Sequence, residues 1–341
     1  MSPLQILAAA VNGSPAPRIP VFCNMLDHGA RLLGMSSKDY FSNGTAVAEA
    51  QLQLLKSYGH DNVWSLHYVG KEAELLGCQD ILFADDGVPN VADFVIKSLD
   101  DIAKFEIPAD ITQVPAWQSM ADCLKILRDE VGATHPICAY VTASTTLPAI
   151  LMGMDKWMEL FLLGPFDLRD ELLRKCSDFF VQEIAALRAA GANVLVYSTP
   201  FGSPAFVSRK QIERNVLPWM KRDLRDGIAN VVYYCGMAPF NDVIDLVFDQ
   251  LQITTHYISP LADLAEAKRI IDNRGLTCGV IDDIKMINWT QEQTRAEVKR
   301  IIDVGKPGGH FLFGNGIMPL AVPEANIKAM VEAAFEYGRL T

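Results

Sequence analysis

The chain has 341 residues, half of them hydrophobic and 21% charged, with 30 Lys plus Arg against 41 Asp plus Glu for a formal charge of −11. That length supports one large core or two average ones, and the composition excludes a disordered chain. No basic cluster offers a footprint for nucleic acid, no apolar run reaches the ~20 residues of a bilayer crossing, and seven scattered cysteines point to reduced thiols in the cytoplasm.

The first twenty residues carry neither a basic segment nor a long apolar run, so they do not read as a signal peptide. A first β-rich run follows at Arg18–Asn24 (RIPVFCN), then an amphipathic stretch at Ala46–Tyr58 and a second run at Asp61–His67 (DNVWSLH). Residues 68–135 offer one further strand pair around Asp80–Ala84 among Pro-containing loops, which reads as an insertion. The pattern resumes with Pro136–Thr142 (PICAYVT), a long helical stretch at Leu168–Ala190 stopped by Gly191, and Asn193–Ser198 (NVLVYS). Asn230–Cys235, Gln252–Tyr257, Leu276–Asp282 and Gly309–Gly314 complete the set, with helical stretches at Leu261–Asn273 and Gln291–Val304. Continuous apolar, β-branched and aromatic runs are what strands covered on both faces require. Eight β-then-α units predict an α/β fold, a (β/α)8 TIM barrel forming a single domain over residues 1–341, with an insertion after the second strand. A doubly wound open sheet is the competing architecture, but no Gly-x-Gly-x-x-Gly follows an early strand.

Chemistry in such a barrel sits at the C-terminal strand ends. That position nominates Asn24, Asp27, His28, His67, Ser198, Thr199, Cys235, His256, Cys278, Asp282 and Asn315. Cys235, His256 and Cys278 end three successive strands, and two thiolates plus an imidazole would make an open zinc site if they converge. Otherwise the cysteines are small buried apolar residues. Asp27, His28 and His67 form a second polar set, able to act as acid or base or simply to cap and bond loops. Tyr233 and Tyr234 alternate, so only one can line the interior; with Trp64, Tyr68 and Phe201 they would make an aromatic pocket for a methylated aryl or ammonium group, or simply pack in the core. Asp282 either orients a ligand or caps the next helix, and Asn315 lies in a Gly314–Gly316 turn that allows close approach of a ligand.

Read together, RIPVF at Arg18–Phe22, GKEAELLGC at Gly70–Cys78, the Gly191–Lys221 segment, YYCG at Tyr233–Gly236, LTCGVID at Leu276–Asp282 and the Gly309–Ala334 segment resemble the uroporphyrinogen decarboxylase superfamily, including its cobalamin-dependent methyltransferase branch. The resemblance spans nearly the whole chain and implies the same barrel. It also exposes departures. The decarboxylase-type Arg-Gln-Ala-Gly-Arg run reads Leu26-Asp27-His28-Gly29-Ala30, its aspartate becomes Leu66, and its Gly-His-Gly becomes Gly314-Asn315-Gly316. The methyltransferase-type His-x-Cys reads Tyr233-Tyr234-Cys235, and its final cysteine falls at Gly316.

The resemblance therefore implies a methyltransferase that moves a methyl group between a small methylated substrate, or a thiol or folate acceptor, and the cobalt of a corrinoid, rather than a porphyrinogen decarboxylase. The expected catalytic residues are His28, His67 and Asp282, the substrate-binding residues Asp27, Tyr233 and Asn315, and the metal ligands Cys235, His256 and Cys278. The corrinoid would arrive on a corrinoid-binding partner or as free cobalamin, zinc is the candidate metal, and a homodimer stays open. Demethylation of the substrate is the favoured direction. A lyase or decarboxylase of another small acid, and a non-catalytic tetrapyrrole- or corrinoid-binding protein, are the alternatives.

Overall fold

The computed structural model describes residues 1–84 and 87–340. Its strands, in chain order, are β1 (Val21–Phe22), β2 (Val63–Trp64), β3 (Ile81–Leu82), β4 (Asn90–Val91), β5 (Ile137–Thr142), β6 (Val194–Ser198), β7 (Val231–Tyr234), β8 (Thr255–Ile258), β9 (Leu276–Ile281) and β10 (Phe311–Asn315). Eight of them form one parallel sheet in the order β1-β10-β9-β8-β7-β6-β5-β2. This is the expected (β/α)8 barrel. Every residue of β5 and β9 is buried, because one face meets the barrel interior and the other meets the helical ring. The longest helix, Phe166–Ala190, ends at Gly191 with φ at 126°, a conformation that glycine alone adopts without strain.

β1 and β2 sit at the two ends of that strand order and share no backbone ladder. Side chains close the seam instead. The Asp61 amide donates to the Val21 carbonyl at 2.8 Å while the Val21 amide donates to Asp61 Oδ2 at 2.8 Å. Asn62 repeats the device: its Oδ1 accepts from the Cys23 amide at 2.8 Å and its Nδ2 donates to the Cys23 carbonyl at 3.3 Å. Arg18 grips the fully buried Asp61 carboxylate through two hydrogen bonds of 2.5 and 2.6 Å. On its other side β1 pairs with β10, and Asn315 extends that pairing, accepting from the Asn24 amide at 3.0 Å and donating to the Asn24 carbonyl at 3.2 Å.

The helix Pro3–Asn12, opened by a Ser2–Gln5 capping box, closes the N-terminal end of the barrel. Its Leu7 and Val11 floor an apolar cavity of about 60 Å³ whose walls include Phe22, Val196 and Leu312. The segment between β2 and β5 is only partly an insertion. β3 and β4 form a separate antiparallel pair, as expected near Asp80–Ala84, but the helix Trp117–Val131 packs on the helix Gly44–Tyr58 and belongs to the barrel's outer ring. The amphipathic face of that helix needs a partner, and the ring supplies it. None of the described helices is long and apolar enough to cross a membrane.

Candidate functional site

Strand alternation sorts the residues at the C-terminal mouth into two sets. Rings that touch across non-adjacent strands can meet only inside the barrel, and Tyr140 of β5 and Tyr234 of β7 do so, with centroids 5.9 Å apart. Trp64 stacks on Tyr140 at 4.7 Å and 17°, and Tyr257 meets Tyr234 edge-on at 5.3 Å, so four rings form a layer across the interior. Two hydrogen bonds tie this layer to the β1 and β10 ends: Asn24 Nδ2 donates to the Tyr140 hydroxyl at 3.1 Å, and the Tyr257 hydroxyl donates to the Asn315 carbonyl. The Cys278 side chain shares this inner face, lining the apolar cavity with Trp64 and Tyr257.

The other parity faces the helices. The Tyr233 hydroxyl donates to the Gly202 carbonyl at 3.0 Å and its ring packs on Phe240 at 5.0 Å, so Tyr234 rather than Tyr233 lines the interior. His256, which pairs in register with Tyr233, is buried against Phe248 at 4.5 Å; burial lowers its pKa to about 3, and it stays neutral. Cys235, two residues on from Tyr233, falls on the same side by alternation, and burial pushes its pKa up. The expected trio therefore does not converge: two members point outward and Cys278 inward, because successive side chains of a strand alternate. Among the described residues no group of three or more His, Cys, Asp or Glu is arranged to hold a metal. The residues present do not fit zinc.

The remaining candidates also part company. His28 turns to the rim, where its Nε2 bonds the Pro319 carbonyl at 2.9 Å; burial lowers its pKa, and it lines an outer groove with Tyr58 and Glu324. Asp27 lines a cavity of about 220 Å³ beneath the same rim with Arg31 and Ser37, and burial pushes its carboxyl up to about 7. Asp282 caps the short helix Asp283–Met286 through the Lys285 amide at 3.1 Å and holds the Lys285 ammonium at 2.9 Å. His67 does enter the mouth. Its ring lies 5.1 Å from Tyr140, its Nδ1 is buried without a partner, and burial, helped by the Lys71 charge, lowers its pKa to about 3.

Position alone passes over Asp283. It is 2% exposed, its Oδ2 has no hydrogen-bond partner, and a Cβ added at Gly316 would sit 3.0 Å from that oxygen and 3.2 Å from Met237 Sδ. Burial pushes its carboxyl up to about 7. That oxygen stands beside Gly316, whose neighbour Asn315 accepts from the Tyr257 hydroxyl at its carbonyl, so the carboxyl stands at the β10 edge of the aromatic layer. The signal for it was the doubled Asp282-Asp283 at a strand end: if the first caps the helix, the second is free to turn inward. None of the eight barrel strands contains Lys or Arg.

The family described as Uroporphyrinogen decarboxylase (URO-D) matches residues 2–337. The methylcobamide:CoM methyltransferase MtaA of Methanosarcina barkeri is 26% identical over 344 residues, covering 97% of either chain. The uroporphyrinogen decarboxylase of Geobacter sulfurreducens is 25% identical over 260 residues, 72% of this chain and 73% of its own. A solved methyltransferase from Methanosarcina mazei has the same fold, with a TM-score of 0.84 at 21% identity over 99% of both chains. Since the family match runs from the helix that floors the barrel to the helix that follows its last strand, the chain belongs to the uroporphyrinogen decarboxylase (URO-D) family.

Proposed function

We propose that the protein is a methyltransferase that moves a methyl group between a small methylated substrate and a corrinoid carried by a separate corrinoid-binding protein, in the direction of substrate demethylation. The observation that carries this reading is the end-to-end similarity to MtaA, 97% of both chains, against a similarity to the Geobacter decarboxylase that stops at 72% of this one. The barrel interior supports it. A porphyrinogen bears many carboxylates, and an interior whose strands hold no Lys or Arg gives them no counter-charge.

The corrinoid supplies the cobalt that accepts the methyl group; the protein's own residues bind and orient the donor. Trp64, Tyr140, Tyr234 and Tyr257 provide apolar walls, and His67, held neutral by burial, offers a hydrogen bond to the donor's heteroatom. Breaking the methyl–heteroatom bond leaves the electron pair on that heteroatom, so a donor whose leaving group departs neutral needs no acid. Zinc has no part in this reading, because Cys235 and His256 face away from Cys278.

The test is the absorbance of Co(I) cobalamin mixed with the protein and methyl ethers, thioethers or methylated amines. The expected result is protein-dependent methylation of cobalt by one donor class. Failure of every donor, together with failure of thiols and folates to demethylate methylcobalamin, would overturn the reading. Conversion of uroporphyrinogen to coproporphyrinogen at rates of ~1 per second or above would do the same.

A further inference from the structure

We infer that the barrel mouth binds a methylated cation, a quaternary ammonium or a sulfonium, with its methyl groups against the aromatic layer and its charge on Asp283. The inference rests on the methyl-transfer reading for its chemistry but not for its binding test.

Three independent features point to a cation. The first is the aromatic layer: Trp64, Tyr140, Tyr234 and Tyr257 pack on one another across the barrel interior with ring centroids 4.7 to 5.9 Å apart. Aromatic faces attract onium methyl groups through the ring quadrupole. The second is the orphan oxygen. Asp283 Oδ2 is buried with no partner among the described residues, and a buried carboxylate without a counter-charge is costly unless it holds a proton or meets a cation.

The third is the absence of an internal competitor. Basic side chains in the loops after β2, β6 and β9 are already engaged: Lys71 with Glu74 at 2.8 Å, Arg209 with Asp245 at 2.5 Å, and Lys285 with Asp282 at 2.9 Å. Arg31, after β1, donates to the Leu320 carbonyl. His67 is neutral and cannot serve as the counter-ion. Gly316 completes the arrangement, since any side chain there would press on the Asp283 oxygen.

An onium donor also suits the chemistry. Its carbon–nitrogen or carbon–sulfur bond breaks with the electron pair staying on the heteroatom, which leaves as a neutral amine or thioether. The methyl group joins the electron pair of a Co(I) corrinoid on the partner protein, and that cobalt is oxidised by two electrons. No acid is needed, which suits a site whose histidine is held neutral by burial.

The experiment is calorimetric titration of the purified protein, without corrinoid, using choline, its neutral isostere 3,3-dimethylbutanol, tetramethylammonium, trimethylsulfonium and the anionic thiol 2-mercaptoethanesulfonate. Choline should bind at least ~10-fold more tightly than the isostere, and Asp283→Asn should shrink that difference several-fold. The ratio of tetramethylammonium to trimethylsulfonium affinity tells the two sources apart. Should Asp283→Asn fold poorly, Tyr234→Leu against Tyr234→Phe gives the same answer, because only the Phe variant keeps the ring. Equal affinity for choline and isostere, or a preference for the anionic thiol, overturns the inference. If a neutral ether or thioether methylates cobalt while no onium binds, the inference falls and the methyltransferase reading stands. If onium ions bind and no donor methylates cobalt, the reverse holds.

Discussion

A proton and a methylated cation compete for the same Asp283 oxygen. Burial holds that carboxyl near pH 7, and the groups facing it are Asp282, Asn315 and the hydroxyls of Tyr140, Tyr234 and Tyr257, whose own ionisation burial pushes upward, away from this range. Tetramethylammonium affinity should therefore rise ~10-fold per pH unit below about 7 and level off above it, with the slope gone in Asp283→Asn. Titrations across this range check it; a flat profile in the unsubstituted protein counts against the assignment. A second substitution probes the same oxygen from the backbone side. Gly316→Ala puts a Cβ 3.0 Å from Oδ2, and should weaken tetramethylammonium binding ~10-fold while the melting temperature moves by only a few degrees. At this scale the sequence is only half readable. The strand-end rule nominates His67, which lies by Tyr140 at the mouth, and Cys278, which lies mid-strand in β9, and it does not give the face, which depends on parity. One residue separates Tyr233 from Tyr234 and Asp282 from Asp283, and parity is fixed by the pairing register, which a single sequence does not display.

The strand elements were far more legible, because continuous apolar runs of β-branched and aromatic residues are a strong signal in a sheet buried on both faces. Six of the eight barrel strands lie within the expected runs, and β8 and β10 overrun theirs by one residue, Ile258 and Asn315. Their lengths were not legible at the seam: Arg18–Asn24 and Asp61–His67 each yield a two-residue strand, since Asp61 and Asn62 take over the bonding with side chains. The insertion was drawn too wide for a related reason, as the ring helix Trp117–Val131 follows the β3–β4 pair without a strand of its own to announce it. The seam itself makes a prediction. Asp61→Ala strands the Arg18 guanidinium and the Val21 amide, and should cost ~3–5 kcal/mol in urea denaturation. Asn62→Ala removes two hydrogen bonds to Cys23 and should cost about 2 kcal/mol. In both variants hydrogen exchange should accelerate first at the Val21 and Cys23 amides; uniform acceleration across the sheet would show the seam to be no weaker than the ladders.

Over the whole molecule, two buried populations titrate in opposite directions. Burial raises Asp27, Glu72 and Asp283 to about 7 and Asp223 to about 6, so their stabilisation is full below the unfolded carboxyl range and lost as pH rises through those values. Burial lowers His60, His67 and His256 to about 3, so their contribution is full above about 6.5 and lost as pH falls. Between about pH 4.5 and 6.5 the two slopes oppose each other; below about 4 only the histidine loss continues. Urea midpoints should thus be similar at pH 7 and 5.5 and drop at pH 3.5, and a steep change within the upper interval would show that one population is not buried as described. The pairing of the first strand with the last has a consequence beyond equilibrium. Asn24 and Asn315 stand 291 positions apart, and β1 has no other backbone ladder. During synthesis at ~5–20 residues per second, the first strand waits roughly 15–60 s for its partner to leave the ribosome. Val21 and Phe22 stay uncovered through that interval, which makes the nascent N-terminal segment, rather than any part of the finished barrel, the place where a chaperone would engage.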